Sequence, residues 1–366
     1  MFERRLYANV DAKLLSAVVT LSLIGLVMIF STTYDAATEQ VGSQFYRQLG
    51  ALLIGLVALA ASLTIDYRTI VNRALLIYGG LAACLLYTLW FGVEQGGAQR
   101  WIGLGLVNFQ PSEFARLVVA LVLAFIFAKD HRGSRRPSDW LIGIVIVGIP
   151  VFLIARQPDL GTAVTLLPVC VVIMLFAGLK LRVLAVVSVV AVLAAPVVWA
   201  YGMEDYQKTR IASFLDPEQD PRGAGYQQIQ ARITVGSGGL TGRGFLQGTQ
   251  SQYDFLPVAH NDFIFSVLAE EYGFIGVLFT LGLYLFVVLR SLEAARLSKD
   301  RMGQYLVAGV LAGFTFQVIY NVTMSAGLAP VKGLPLPLMS YGGSSVIATL
   351  LGFGLILNVR MRRFTN

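Results

Sequence analysis

Charge is scarce in this chain, and so are cysteine and histidine. Charged residues make up 13% of the sequence, about half of the roughly 25% carried by a soluble domain. A water-exposed globular surface is therefore excluded for most of its length. Cys84 and Cys170 both sit in apolar runs, so no disulfide framework is implied. His131 and His260 have no cysteine or second histidine beside them, which leaves a zinc site without a ligand cluster. Ser340, Ser344 and Ser345 have no plausible histidine partner, so a hydrolase triad lacks its base. Gly236-Ser237-Gly238-Gly239 has neither the strand-loop-helix setting nor the ending of a nucleotide cradle.

What the chain has is apolar length. Hydrophobic residues make up 56% of it. They form ten runs near 14–30, 49–65, 74–91, 114–128, 140–155, 160–179, 183–201, 263–289, 303–327 and 343–359. A helix crossing the hydrocarbon core needs about 17–25 residues, and these runs meet or approach that. The expectation is an all-α polytopic membrane protein with about ten spans, read as a single domain over 1–366. The first run exceeds the usual length of a signal peptide core and is followed by nine more, so it is read as a retained anchor.

Lys and Arg set the orientation. With the N-terminus inside, eighteen of them fall on the cytoplasmic side, and the four short outer loops hold one each: Arg47, Arg100, Arg156 and Lys332. Both termini are then cytoplasmic, and a loop of about 202–262 between the seventh and eighth spans faces outward. The net charge of +7 is mostly this insertion signal and implies no nucleic-acid partner. No internal repeat is evident, which weakens a transporter reading. Gly309 and Gly313 read as close helix packing.

The outward intervals collect the chemistry-bearing residues. They hold the acids Glu113, Asp159 and Asp262 and the bases Arg47, Arg100, Arg210, Arg243 and Lys332. Arg116, one turn from Glu113, could pair with it inside the membrane. Arginine forks match phosphate oxygens, so such a set suits an anionic head group; it would equally serve as ion pairs between helices. Pro111 and Ser112 could start the fourth span, with Glu113 favourable at its dipole. Gln157-Pro158-Asp159-Leu160-Gly161 reads as a tight hairpin. Prolines and glycines between Lys332 and Ser345 predict a re-entrant or broken helix, tolerated only in protein or beside water. Tyr226 to Val235 could be a short helix on the membrane surface. Six glycines among the thirteen residues 236–248 predict a mobile cover, with Arg210 and Arg243 able to swing onto phosphate. Glu270 and Glu271, two turns into the eighth span, favour a structural role.

Five strings in order resemble the SEDS family (shape, elongation, division and sporulation). They are Ala98-Gln99-Arg100-Trp101-Ile102, Phe109-Gln110-Pro111-Ser112-Glu113, Gln157 to Gly161, His260-Asn261-Asp262-Phe263-Ile264-Phe265 with Glu270-Glu271, and Leu336 to Ser345. Gly248 to Pro257 and Gly333 to Pro337 resemble the elongation branch in particular. The resemblance implies a ten-span peptidoglycan glycosyltransferase that polymerises lipid II, the undecaprenyl-diphosphate disaccharide-pentapeptide. It also implies a class B penicillin-binding protein as transpeptidase partner, with membrane lipids around both. The family's catalytic aspartate falls on Asp262, and its other two acids on Asp159 and Glu113. Gln110 and Ser112 lie in the second string and join the substrate-binding candidates. Asn261 stands where threonine is common, and Asn108 where a basic residue is often seen, which puts one diphosphate contact in doubt.

The chemistry is consistent with that role. Forming a β-1,4 bond from an α-linked diphosphate sugar inverts the anomeric carbon. The acceptor hydroxyl needs a base, for which Asp262 is the candidate, though it could instead cap the following helix. The departing diphosphate needs Arg210, Arg243, Arg100 or Lys332, or a divalent cation such as Mg2+ or Mn2+. A flippase for the same lipid and a non-catalytic scaffold for wall synthases are the competing functions.

Overall fold

A computed structural model describes residues 9–35, 38–95, 98–103, 108–129, 137–219, 223, 225–253 and 255–364. His131, the basic residues Arg4, Arg5, Arg132, Arg135 and Arg136, the pair Gly96-Gly97 and most of the turn at 220–225 lie outside them.

All ten apolar runs are helical. In chain order the helices are α1 (Ala12–Thr33), α2 (Ser43–Thr64), α3 (Tyr67–Asn72), α4 (Ala74–Phe91), α5 (Pro111–Lys129), α6 (Pro137–Ala155) and α7 (Leu160–Phe176). Then come α8 (Leu181–Val197), α9 (Asp205–Leu215), α10 (Tyr226–Ser237), α11 (Thr249–Gln252), α12 (Ile264–Arg296), α13 (Arg301–Ser325) and α14 (Gly343–Met361). Nine helices among the described residues are long and apolar enough to cross a membrane, and α7 is a shorter tenth. The short antiparallel pairings in two of the loops were not expected. Tyr34–Asp35 pairs with Gln40–Val41, and Ala98–Gly103 lies between Val93–Gln95 and Asn108–Phe109.

Helices α5 and α14 form the centre and are buried on most sides. Around them α2 lies along α14, while α13 packs on both α5 and α7. Gly309 permits the α13 approach, since a Cβ there would press on Ala120 and Ile173. By contrast, no residue of α8 is buried.

One end of the bundle is closed by ion pairs. Arg360 contacts Asp11 at 2.9 Å and Glu293 at 3.3 Å, and Arg290 reaches Asp11 at 2.8 Å. Arg68 meets Asp300 at 2.8 Å, and Asn358 bridges the backbone of Ser62 and Ile65. These pairs tie the ends of α1, α12 and α14 together at the face where the basic residues concentrate.

At the other end the glycine-rich segment, expected as a mobile cover, is packed into the bundle. Helix α12 is broken at Gly273, whose φ of 64° and ψ of −163° interrupt the ladder. The loop fills that break: Phe274 and Ile275 donate to the carbonyls of Gly239 and Leu240 at 2.9 and 3.1 Å. In return Arg243 and Gly244 donate to the carbonyls of Glu270 and Glu271 at 2.9 and 3.0 Å. The backbones approach so closely that a Cβ on Gly242 would collide with the Glu271 carbonyl, and its φ of +80° favours glycine independently. Glu270 completes the seal, accepting from Ser237 at 3.2 Å, Thr249 at 3.1 Å and the Gln250 amide at 3.2 Å. Beside it Glu271 accepts from Ser31 of α1. The structural role expected of these two acids is what they have. The helix at Tyr226 is also real, and it buries Gln228, Ala231 and Thr234 against the bundle.

Two outcomes follow for the loop. Gly242→Ala should lower the apparent melting temperature of the purified protein, by the equivalent of about 1–3 kcal/mol for a strained non-glycine backbone. Gly236→Ala, which meets nothing within 4 Å, should be neutral or slightly stabilising. The amides of Arg243, Gly244, Phe274 and Ile275 should exchange slowly in the ligand-free protein. Rapid exchange there would restore the mobile-cover reading.

Candidate active site

The segment between α13 and α14 is irregular from Pro330 to Gly342, yet Leu334, Leu336, Leu338, Met339 and Ser340 are buried. Peptide groups at such depth must be bonded internally. Side chains do this. Gln317 and Asn321 of α13 donate to the carbonyls of Pro335 and Leu334, each at 2.8 Å. Tyr284 of α12 donates to Pro337 at 2.6 Å, and Gln48 of α2 bonds both the Ser340 carbonyl and the Gly342 amide. The Tyr341 amide reaches across to the His260 carbonyl at 2.9 Å, joining this segment to the end of the long loop. The broken element predicted by its prolines is therefore present, and it is walled in by protein.

Asp262 lies where these two segments meet. Val258 takes a φ of +54°, which turns the chain so that the Asn261 and Asp262 amides both donate to its carbonyl, at 3.0 and 3.2 Å. Phe263 is the residue capping α12, and that helix has no side-chain cap bond. Asp262 is thus free of the capping role. Its Oδ1 is buried with no protein hydrogen bond, although the residue as a whole is half-buried. Gly333, at a φ of +65°, borders the carboxylate so closely that a Cβ would stand 3.7 Å from Oδ2. Burial pushes the carboxyl up to about 6, against the opposing pull of Arg210 and Arg100. Burial, and then the charge of Arg210, lower the Lys332 ammonium, and burial lowers the His260 imidazole.

The other two acids stand in a linked row behind Arg100. Asp159 caps α7 through the Thr162 amide at 3.2 Å, accepts from Gln110 at 3.3 Å, and faces Arg100 at 3.6 Å. Gln110 also donates to Ser112 at 3.1 Å, and Arg100 lies over the Trp101 ring. Helix α5 begins at Pro111 as expected, and Glu113 pairs with Arg116 at 2.9 Å. Arg116 in turn bonds Gln317. Asp262, Arg100, Arg210, Lys332, Asp159, Gln110, Ser112, Glu113 and Arg116 thereby belong to one connected region.

Arg243 does not join them. It is held 3.8 Å from Glu270 and bonds the Ser237 carbonyl, because its own backbone is stitched into the α12 break. As placed, its guanidinium lies at Glu270 and not among the residues around Asp262. Residues that the sequence reading missed are Asn321, Gln317 and Gln48. The one signal for the first two was a pair of amide side chains four residues apart inside an apolar span.

The chemistry available is that of a buried carboxylate with one unengaged oxygen, set in the field of two arginines. A divalent cation fits poorly here. Among the described residues no three His, Cys, Asp or Glu side chains come together, and the charges acting on Asp262 are cationic.

Known proteins share this architecture. A profile of the FtsW/RodA/SpoVE cell cycle proteins matches residues 12–364. The peptidoglycan glycosyltransferase MrdB of Escherichia coli K12 is 38% identical over 343 residues, 94% of this chain and 92% of that one. The peptidoglycan glycosyltransferase RodA of Treponema pallidum is 32% identical, covering 97% of this chain and 98% of that one. Among solved structures, a chain of a peptidoglycan synthase complex that coordinates polymerization and crosslinking superposes with a TM-score of 0.85 at 33% identity, covering 98% of this chain and 99% of that chain. The rod shape determining protein RodA of Thermus thermophilus superposes at 0.73 with 30% identity, covering 98% of each. The chain therefore belongs to the FtsW/RodA/SpoVE family, the SEDS family that its five motifs resemble.

Proposed function

We propose that the chain is a peptidoglycan glycosyltransferase of cell elongation that polymerises lipid II with inversion, using Asp262 as general base. The observation that carries the mechanism is the unengaged Oδ1 of a carboxylate raised to about 6 between Arg210 and Arg100. A base with that affinity is ionised near neutrality and still accepts a proton readily. In the step, Asp262 takes the proton of the acceptor 4-hydroxyl as its oxygen bonds the anomeric carbon. The bond from that carbon to the diphosphate oxygen breaks on the opposite side. The lipid diphosphate leaves with the electron pair, and Arg100, Arg210 and Lys332 neutralise it. Asp159 and Gln110 hold Arg100 in place.

A flippase would need a matching entry at the cytoplasmic end. The charges there close on one another, Arg360 with Asp11 and Glu293, and Arg68 with Asp300, which favours the enzyme. The transpeptidase partner is a class B penicillin-binding protein. The setting is the bacterial inner membrane, with both termini cytoplasmic and the site at the outer leaflet.

Asp262→Ala should abolish glycan synthesis from purified lipid II, a loss of about 10²–10⁴-fold for a missing base, while the protein stays folded and inserted. Full activity in that variant would end the base assignment.

The pH profile carries a sign. A base must be ionised, so kcat/KM should fall about tenfold per unit below the carboxyl value of about 6. Because the folded value exceeds the ordinary one of 3.8, the folded protein binds a proton in that window that the unfolded chain lacks. Stability contributed by this group therefore grows as pH falls from about 6 towards 3.8. Asp262→Asn should accordingly raise the melting temperature at pH 8, and that advantage should shrink as pH falls from about 6 towards 3.8.

Removing one partner of the Glu113–Arg116 pair leaves a charge unmatched in a buried place. Glu113→Gln and Arg116→Gln should each lower stability or lipid II binding, and the double variant should lose less than their sum. Strict additivity in this cycle would refute the coupling.

A further inference from the structure

Asn321 is fully buried near the C-terminal end of α13, an apolar helix and an expensive place for an amide. Both hydrogens of its Nδ2 are used. One goes to the carbonyl of Asp262 at 2.9 Å and the other to the carbonyl of Leu334 at 2.8 Å. Those acceptors belong to two separate segments, the turn that ends the long loop and the irregular stretch after α13. The two segments flank the same carboxylate, since Gly333 stands beside Oδ2. The Asn321 Oδ1 is buried with no protein hydrogen bond. A flipped amide would set that oxygen against two carbonyl oxygens, so its orientation is fixed by the two donations. One turn earlier Gln317 repeats the arrangement: its Nε2 donates to the Pro335 carbonyl at 2.8 Å, and its Oε1 accepts from Arg116. Residues four apart share a helix face. A single face of α13 therefore connects the Glu113–Arg116 pair, the Leu334-Pro335 backbone and the Asp262 peptide.

We infer that Asn321 is a positioning residue for the reaction: by clamping the Asp262 and Leu334 carbonyls together, it holds the Asp262 carboxylate against Gly333 in its reactive orientation. The inference rests on Asp262 being the base. Neither carbonyl is in a regular helix ladder that could satisfy it otherwise. Without the Nδ2 donor both would turn toward water, and the Asp262 peptide would turn with them. A displacement of about 1 Å at a reacting group can cost about 10²-fold in rate. The plain alternative is that Asn321 only satisfies buried carbonyls. It then contributes to folding, and the folded fraction of a variant would react normally.

Asn321→Leu keeps the volume and removes the donors. With purified folded protein and lipid II, kcat should fall about 10²-fold while KM stays close to that of the wild type. The acid limb of the kcat profile should move to lower pH, because a carboxylate released toward water is less buried. The groups facing it, Arg100, Arg210, Lys332 and His260, are unchanged. Position is read separately by placing Asp262→Cys in both backgrounds and timing its reaction with a small charged thiol reagent from the outer side. Loss of Asn321 should accelerate that labelling. If Asn321→Leu fails to fold, Asn321→Ser, with one shorter donor, should show the same changes in smaller measure. Wild-type kcat, an unmoved acid limb and unaltered labelling in the folded variant would overturn the inference, even with Asp262→Ala inactive. Activity in Asp262→Ala would instead defeat the base reading, and the labelling rates would still decide whether Asn321 sets the position.

Discussion

The governing constraint on this molecule is that peptide groups without a helix ladder must find partners inside the protein. The chain leaves the helical pattern at Gly273 and from Pro330 to Gly342, both away from the end closed by ion pairs. Each break is repaired by a different means. Backbone from Gly239 to Gly244 fills the first, and side chains from α2, α12 and α13 seal the second. Asp262 stands between the two repairs, so its position follows from both.

The same contrast orders the charges. At the basic end, arginines and carboxylates meet at ion-pair distance and lock helix termini together. At the other end, Arg100 is shared between Asp159 and the field around Asp262, and the Asp262 Oδ1 has no protein partner. An incompletely compensated carboxylate costs stability, as a group prepared for a reacting proton does.

Much of this was legible in the residues, for identifiable reasons. Ten helices could be read because apolar length is a one-dimensional property, and even the short α7 declared itself by its flanking turn. Asp262, Asp159 and Glu113 could be read because acids beside membrane spans are conspicuous. The state of the glycine-rich stretch was not legible. Six glycines are as compatible with close backbone packing as with motion, and only the partner at Gly273 decides between them. The backbone bonds that set Arg243 beside Glu270 were hidden for the same reason. Asn321 and Gln317 escaped notice because an amide in an apolar span announces that it has partners without naming them. The short strands beside Arg100 are too brief for alternation to register.

The break at Gly273 has a mechanical side. Helix α12 has 33 residues, roughly 50 Å of α-helix, against a hydrocarbon layer of about 30 Å. Its outer portion, Ile264 to Glu271, is buried in protein, while beyond the break Phe274, Ile275, Leu278 and Phe279 are exposed to the surroundings. The two portions are thus differently covered, although the loop bonds both, through the Glu270 and Glu271 carbonyls on one side and the Phe274 and Ile275 amides on the other. Where the ladder is interrupted, bending is resisted less than along an intact rod. The loop, bonded on both sides of the joint, splints the interrupted ladder and carries the buried portion and the exposed one as a single piece.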